Sequence, residues 1–349
     1  MNGDPLGRDL ASARAGSTPA AFITGLSGPV LTAAEAQFLR DADPWGLILF
    51  ARNVETPEQV ARLVADARAA LGRNTPCLID QEGGRVARLR PPHWLGWPPV
   101  RETVEHLGPQ RAAYALELRF RLIASELRDA GIDVDCMPLL DVPQPGAHEI
   151  IGNRALGEDP ALVAALGAAV CQGLRAGGVL PVIKHLPGHG RAGVDSHAGL
   201  PVVTASREAL ETDFAAFRPL AHEALGMTAH IVFTEIDPDA CATLSPKAIR
   251  LIRQDIGFDG CLMTDDLSMQ ALSGPMRARA ENAVAAGCDL VLHCNGKLEE
   301  METVAAGVPR LAGEAQRRAH AAEAARSAAG PFDAAAALAE YRAMTGEPA

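Results

Sequence analysis

No stretch of this sequence approaches the roughly 18 unbroken apolar residues that a bilayer-spanning helix needs. Its opening residues, MNGDPLGRDLASARAGSTPA, also lack the apolar centre of a secretory signal. Both absences set the expectation of a cytoplasmic protein that engages no membrane. A concentrated basic surface is missing as well: 32 Lys and Arg stand against 43 Asp and Glu, a formal net charge of −11, with no basic stripe. Phosphate backbones need such a stripe, so no nucleic-acid partner is expected. Lysine is scarce, at 184, 247 and 297 alone; Lys184 directly follows an apolar run, where a solvated-face reading is weak. The seven cysteines (77, 136, 171, 241, 261, 288, 294) are odd in number, scattered, and without a CxxC pair or zinc-type spacing. They read as reduced core residues. No GxGxxG turn follows the first apolar run, and no GKS or GKT follows the glycine-rich loop, so neither a dinucleotide fold nor a phosphate-binding loop has positive support.

What is present is alternation. Short apolar, β-branched runs take turns with longer Ala-rich stretches of helical period, the pattern of repeated β-α units around a parallel sheet. Eight strands are expected, at 21–26, 46–50, 76–80, 134–142, 179–185, 226–233, 260–266 and 288–293. One helix is well signalled: Thr56 and Gln59 suggest a capping box, Pro57 the first helical position, and Val60, Leu63, Val64, Ala67 and Leu71 one apolar face that ends at Gly72. Further helices are expected at 108–130, 159–176 and 206–224. Eight β-α units across the 349-residue chain, 48% of it hydrophobic, fit a single-domain α/β (β/α)8 TIM barrel better than an open sheet. The expected division is a flexible arm over 1–19, a barrel over 20–330 and a tail over 331–349 packing on its outside.

In such a barrel the chemistry sits at the C-terminal strand ends, and here polar residues end the runs: Asp80, Asp141, Lys184 with His185, His230, and Asp265 with Asp266. A lone Asp after a strand commonly caps a helix; their convergence on one rim favours function. The segment KHLPGHGRAGVDSHAGLP (184–201) gathers most titratable groups. Its glycines at 188, 190 and 193 are expected to let Asp195 and His197 swing. Spaced two apart in an extended segment, the carboxylate can orient the imidazole, which suits general acid/base work near neutral pH. A structural reading of the pair also stands. A metal held by His185, His189, Asp195 and His197 is the weaker reading, because ligands strung along one glycine loop lack the compact spacing of zinc sites. No metal and no cofactor is expected.

KHLPGHG followed by DSH, with IDQEGGRVARLR (79–90), IIGNRALGEDP (150–160) and MTDDLSM (263–269), resembles the β-N-acetylhexosaminidases of glycoside hydrolase family 3. The likeness spans roughly residues 20 to 296. It implies a retaining β-glycosidase on a TIM barrel, working through a covalent glycosyl-enzyme, with Asp265 as nucleophile, His197 as acid/base and Asp195 as its orienting partner. It further implies that Asp80, Arg88, Arg154, Lys184 and His185 hold a terminal N-acetylglucosamine. A histidine acid/base departs from the usual pair of carboxylates. The compact form implies cell-wall recycling, with N-acetylglucosaminyl-1,6-anhydro-N-acetylmuramic acid, with or without its stem peptide, as substrate. The same scaffold also suits a glycoside phosphorylase, or a sugar-binding barrel without turnover. Arg191 and Ala192 stand where many relatives have Asp-Thr or Asp-Ser, which opens the question of what holds this loop.

Overall fold

The computed structural model describes residues 18–196 and 199–346. The expected arm over 1–19 therefore falls almost wholly outside the described residues. Eight strands, β1 (Ala20–Gly25), β2 (Pro44–Leu49), β3 (Cys77–Ile79), β4 (Val134–Asp135), β5 (Leu180–Leu186), β6 (Leu225–Thr228), β7 (Cys261–Asp266) and β8 (Leu290–His293), form a closed barrel. Each pairs in parallel with its sequence neighbours, and β1 closes on β8 through Phe22, Ile23 and Thr24 opposite Val291, Leu292 and His293. Around them lie the helices α1 (Ala33–Ala42), α2 (Pro57–Leu71), α3 (Val100–Leu107), α4 (Pro109–Asp129), α5 (Pro160–Ala176), α6 (Arg207–Phe217), α7 (Pro246–Leu251), α8 (Met276–Ala286), α9 (Leu298–Ala305), α10 (Gly313–Ala325) and α11 (Ala334–Thr345). This is the (β/α)8 barrel that the alternation implies.

The period of two along each strand splits the core in two. Ala21, Ile23, Trp45, Ile48, Leu78, Val134, Val182, Met227, Met263 and Leu292 fill the barrel, while Phe22, Leu47, Leu49, Ile79, Ile183 and Leu262 pack outward against the helices. All seven cysteines are buried and unpaired. No described helix is long and apolar enough to cross a membrane.

Four elements differ from the sequence expectation, each for a local reason. The fourth strand is only Val134–Asp135, because Pro138 has no N–H to give the ladder. Beyond it the chain stays beside β5 through irregular bonds, Val182 N to Met137 O at 3.0 Å and Lys184 N to Pro138 O at 3.1 Å. The sixth strand stops at Thr228; Val232–Phe233 leave the barrel to pair with Val202–Val203. Helix α6 ends at Phe217, just before Pro219. Helix α2 is half-boxed: Thr56 Oγ1 accepts from Gln59 N, as expected, but the Gln59 side chain accepts from Glu55 N and donates to Pro29 O and Asn53 O. Gln59 thereby ties the helix start to the β1 and β2 exits rather than closing the box.

The two barrel ends divide their charges by purpose. Aspartates at or just before strand starts meet arginines: Asp43 with Arg73 and Arg310, Asp133 with Arg68 and Arg326, Asp289 with Arg253 and Arg318. Part of the arginine excess is thus a clasp at the N-terminal end, where barrels keep their stability. Leu311, Ala319 and Ala322, the latter two on α10, complete the apolar plug there. Helix α11 lays Tyr341 edge-on against Trp97, ring centroids 5.2 Å apart. The opposite rim is where carboxylates meet lysine and histidine.

Candidate active site

Asp80 follows β3, and the chain then turns back through a two-stranded ribbon, Gln81–Gly83 against Val86–Ala87. Gln81 locks that ribbon: its Oε1 accepts from Arg88 N (2.8 Å) and Leu89 N (3.0 Å), and its Nε2 donates to Leu89 O (2.8 Å). Gly83 cannot be replaced without strain, since its φ is +101° and a Cβ there would lie 2.0 Å from Arg119 Nη2. The ribbon returns Arg88 to Asp80, with Nη2 2.9 Å from Oδ2. Across the barrel, Lys184 from β5 reaches Asp80 Oδ1 at 3.1 Å and Glu82 Oε1 at 2.7 Å. Glu82 in turn takes a two-pronged bond from Arg154, both at 2.8 Å.

Three cations and two carboxylates therefore share one mostly buried lattice. Burial alone would raise the Asp80 and Glu82 pKa values, but Lys184 with Arg88, and Arg154 with Lys184, hold both below the ordinary carboxylate range. Burial alone would neutralise Lys184, yet Glu82 and Asp80 raise its pKa instead. Glu82 is a functional candidate that the sequence reading passes over. The signal was present: in DQE, Asp80 and Glu82 stand two apart, the spacing that puts both on one side of an extended segment.

The neighbouring quadrant is organised by Asp141. Its Oδ2 lies 2.7 Å from His185 Nδ1, and its Oδ1 accepts from His185 N (3.2 Å) and His189 N (2.7 Å). Burial would raise this carboxyl; the imidazole of His185, aided by that of His189, brings it down to about 2. An ionised Asp141 assigns the Nδ1 proton to His185 and leaves Nε2 for the cavity. His189 packs edge-on against His185, 5.5 Å between centroids, and burial with His185 alongside pulls it down to about 4.

Asp265 and Asp266 end β7 with different occupations. Asp266 accepts from Ser268 N (3.1 Å), the Ser268 hydroxyl and Cys294 N (3.0 Å), so it pins the turn after β7 to the end of β8. Asp265 accepts from Asp266 N at 2.8 Å. Burial would raise its pKa, but His185 and His230 beside it and the Asp266 amide outweigh that and keep it ionised. His230 is itself fixed between Thr243 Oγ1 (2.7 Å) and Asp266 O (3.0 Å).

One cavity, of about 830 Å³ with its mouth included, is lined by Asp80, Arg88, Arg154, Lys184, His185, Asp265 and Asp266, with Phe50, Met227, Met269 and Leu292 as apolar wall. Six of the eight sequence-named site residues therefore meet there. Asp195 does not line it, though its neighbour Ser196 does. His197 lies outside the described residues. Two of the glycines before them pack closely: a Cβ on Gly190 would sit 2.0 Å from Val142 O, and one on Gly188 2.9 Å from Asp213 Cβ. Both are points of close approach, and of the three only Gly193 has open space around it.

Beneath this lattice lies Asp135, fully buried, with Oδ1 accepting from Gln81 N at 3.0 Å and Oδ2 without a donor. Burial pushes its carboxyl up to about 8. A pKa raised above its unfolded value of about 3.9 means that the folded state holds the proton more tightly, so this group costs stability increasingly from about pH 4 to about pH 8. Asp135→Asn, neutral throughout, is expected to gain stability relative to the native chain between about pH 5 and pH 8 in denaturant unfolding. Parallel stability curves would instead mean that the native carboxyl is ionised.

A closed parallel barrel whose C-terminal rim sets an ionised carboxylate beside a cradle of charged hydrogen-bonding groups defines a (β/α)8 enzyme built for a small polar substrate. The family model for the glycosyl hydrolase family 3 N-terminal domain matches residues 25–326. A β-hexosaminidase of Alkalilimnicola ehrlichii is 41% identical over 283 residues, covering 78% of this chain and 80% of that protein. One from Bordetella avium is 36% identical over 285 residues, 79% of this chain and 81% of the relative. The crystal structure of NagZ from Neisseria gonorrhoeae in complex with N-trifluoroacetyl-D-glucosamine superposes with a TM-score of 0.83 at 31% identity, over 94% of this chain and 99% of that one. The chain belongs to glycosyl hydrolase family 3 and is a glycoside hydrolase of the β-hexosaminidase class.

Proposed function

We propose that this enzyme is a retaining exo-β-N-acetylglucosaminidase that removes a terminal β-linked N-acetylglucosamine by double displacement. The observation that carries the proposal is the Asp265 carboxylate at the end of β7, which lines the same cavity as the Asp80–Arg88–Lys184 cradle. In the first step Asp265 attacks the anomeric carbon, the bond to the leaving oxygen breaks, and the His197 imidazolium, oriented by Asp195, gives that oxygen its proton. In the second, the neutral imidazole takes a proton from water as the water attacks the same carbon and frees Asp265. Asp80, accepting from sugar hydroxyls, Arg88, Arg154 and Lys184, donating to hydroxyls, the acetamido oxygen or the Asp80 and Glu82 carboxylates, and His185, accepting through Nε2, hold the ring.

The other carboxylates of the cavity support a histidine in the proton role. Asp80 is bonded by two cations that hold its carboxyl below the ordinary range, and the Asp266 carboxylate is taken up by two amides and a hydroxyl. His189, at about 4, is uncharged at neutral pH. The family resemblance of the motifs supports N-acetylglucosaminyl-1,6-anhydro-N-acetylmuramic acid, with or without stem peptide, as substrate, and cytoplasmic peptidoglycan recycling as setting.

The test is to stall the second step with a fluorinated N-acetylglucosamine-type substrate and sequence the labelled peptide by mass spectrometry. The label is expected on Asp265. An enzyme that turns over yet never becomes labelled overturns the covalent route, and a sugar 1-phosphate formed in phosphate buffer reassigns it as a phosphorylase.

A further inference from the structure

We infer that Arg191 is a positioning residue, which clamps the start of the Asp195-bearing loop to helix α6 through Asp213 and so fixes where that loop stands over the cavity. The inference rests on the proton role proposed for the loop. Arg191 Nε lies 2.6 Å from Asp213 Oδ2, and its Nη2 donates to Ala209 O at 2.7 Å, so one guanidinium holds both a side chain and the backbone of α6. Asp213 is 1% exposed and Arg191 17%, so the pair is shielded from the screening that weakens surface ion pairs. The loop backbone also packs on the Asp213 side chain, since a Cβ on Gly188 would lie 2.9 Å from Asp213 Cβ.

From this clamp the loop runs through two further fixings. Gln144 N donates to Gly190 O at 2.9 Å and His148 N to Ala192 O at 2.7 Å. At its inner end Ser196 is buried, with Oγ 3.3 Å from His189 Nε2, and its carbonyl accepts from Ala271 N at 3.2 Å, beyond β7. Between the two ends, Gly193 has nothing near it and Val194 is exposed. The segment that carries Asp195 is thus a short bridge with anchors at 188–192 and 196, and Arg191 is its side-chain link to the helical layer. Arginine at 191 answers the sequence question: what holds this loop is a reach outward to Asp213 and Ala209 of α6. Loss of Arg191 need not unfold the chain, because burial already raises the Asp213 carboxyl to about 6 and a proton can neutralise it.

The test measures kcat and KM for the native enzyme, Arg191→Ala, Arg191→Lys and His197→Ala on two β-N-acetylglucosaminides, one with a dinitrophenyl leaving group and one with an alkyl leaving group. In the first step, which kcat/KM reports, a misplaced acid harms only the substrate that needs protonation, whereas kcat on the dinitrophenyl glycoside also reports the second step, where His197 acts as base. For Arg191→Ala, kcat/KM on the alkyl glycoside is expected to fall roughly 10- to 100-fold and on the dinitrophenyl glycoside less than about threefold. Arg191→Lys keeps a cation beside Asp213 without the two-pronged grip, and is expected to show the same split at smaller size. Equal losses on both substrates, or none, in a folded Arg191→Ala overturn the clamp; should that variant melt, uniform or native rates in Arg191→Lys do so. His197→Ala separates the two claims. If it shows no leaving-group split the proton role itself fails, and if it shows one that the Arg191 variants lack, the clamp alone falls.

Discussion

Asp265→Asn is expected to lower turnover by about 10⁴-fold or more while leaving the unfolding transition where it was. The reasoning compares two adjacent carboxylates. Asp265 accepts one hydrogen bond, from the amide of its own neighbour, and an Asn oxygen can accept the same bond. Asp266 holds Ser268 and the backbone of Cys294, and so joins the ends of β7 and β8. Asp266→Ala should accordingly cost about 1–3 kcal/mol of stability, by leaving a buried amide and a hydroxyl without their acceptor. Thermal unfolding and steady-state rates on the two variants check this crossing of effects. An Asp265→Asn protein that melts early and loses activity in proportion would give Asp265 the structural job and leave the enzyme without its proposed nucleophile.

The second large effect is expected from Lys184→Met. The ammonium lies between Asp80 and Glu82, and its removal leaves two carboxylates sharing two arginines in a poorly solvated space. Breaking a buried charge network by taking one partner commonly costs 3–5 kcal/mol; about 3 kcal/mol is expected here, because each carboxylate keeps one guanidinium. The sign of the pH dependence follows. Asp80 and Glu82 have pKa values depressed by their cations, so their contribution is present above the unfolded carboxylate values of about 3.9 and 4.3 and is lost as pH falls through the lower folded values. Without Lys184 the folded values rise and that loss begins at higher pH. Acid unfolding of Lys184→Met should therefore start earlier than that of the native chain, and kcat/KM should fall by roughly 100-fold or more as the cradle loses its donor. Native acid stability in the variant would show that the arginines alone hold the lattice.

Much of the barrel was legible in the residues because a strand buried on both faces reads as an apolar run and a helix on its outside reads with a period near four. The runs 21–26, 46–50, 260–266 and 288–293 fall within about two residues of β1, β2, β7 and β8. The fourth and sixth runs read long, since Met137–Val142 and Ala229–Phe233 are as buried and apolar as any strand yet make other bonds. Burial writes the pattern, and hydrogen bonding decides the strand. Asp80, Lys184, His185 and Asp265 were found because each closes such a run. Glu82 was missed because it lies past the run, in the short ribbon after β3, where an exposed carboxylate would be ordinary.

Sequence by itself determined the β-α count, the motifs that place the chain in its family, and which charged residues stand at strand ends, because these depend on local order and periodicity. Only the tertiary structure decided which charge meets which. Lys184 and Asp80 are 104 residues apart and touch because the barrel closes. That burial raises the Asp135 carboxyl, while Lys184 and Arg88 lower that of Asp80 and His185 and His230 that of Asp265, follows from the groups the barrel sets around each of them. The glycines of KHLPGHG are tight because Val142 and Asp213 stand against them. Ionisation and close packing are properties of neighbours in space, and a linear order does not contain them until the chain has closed on itself.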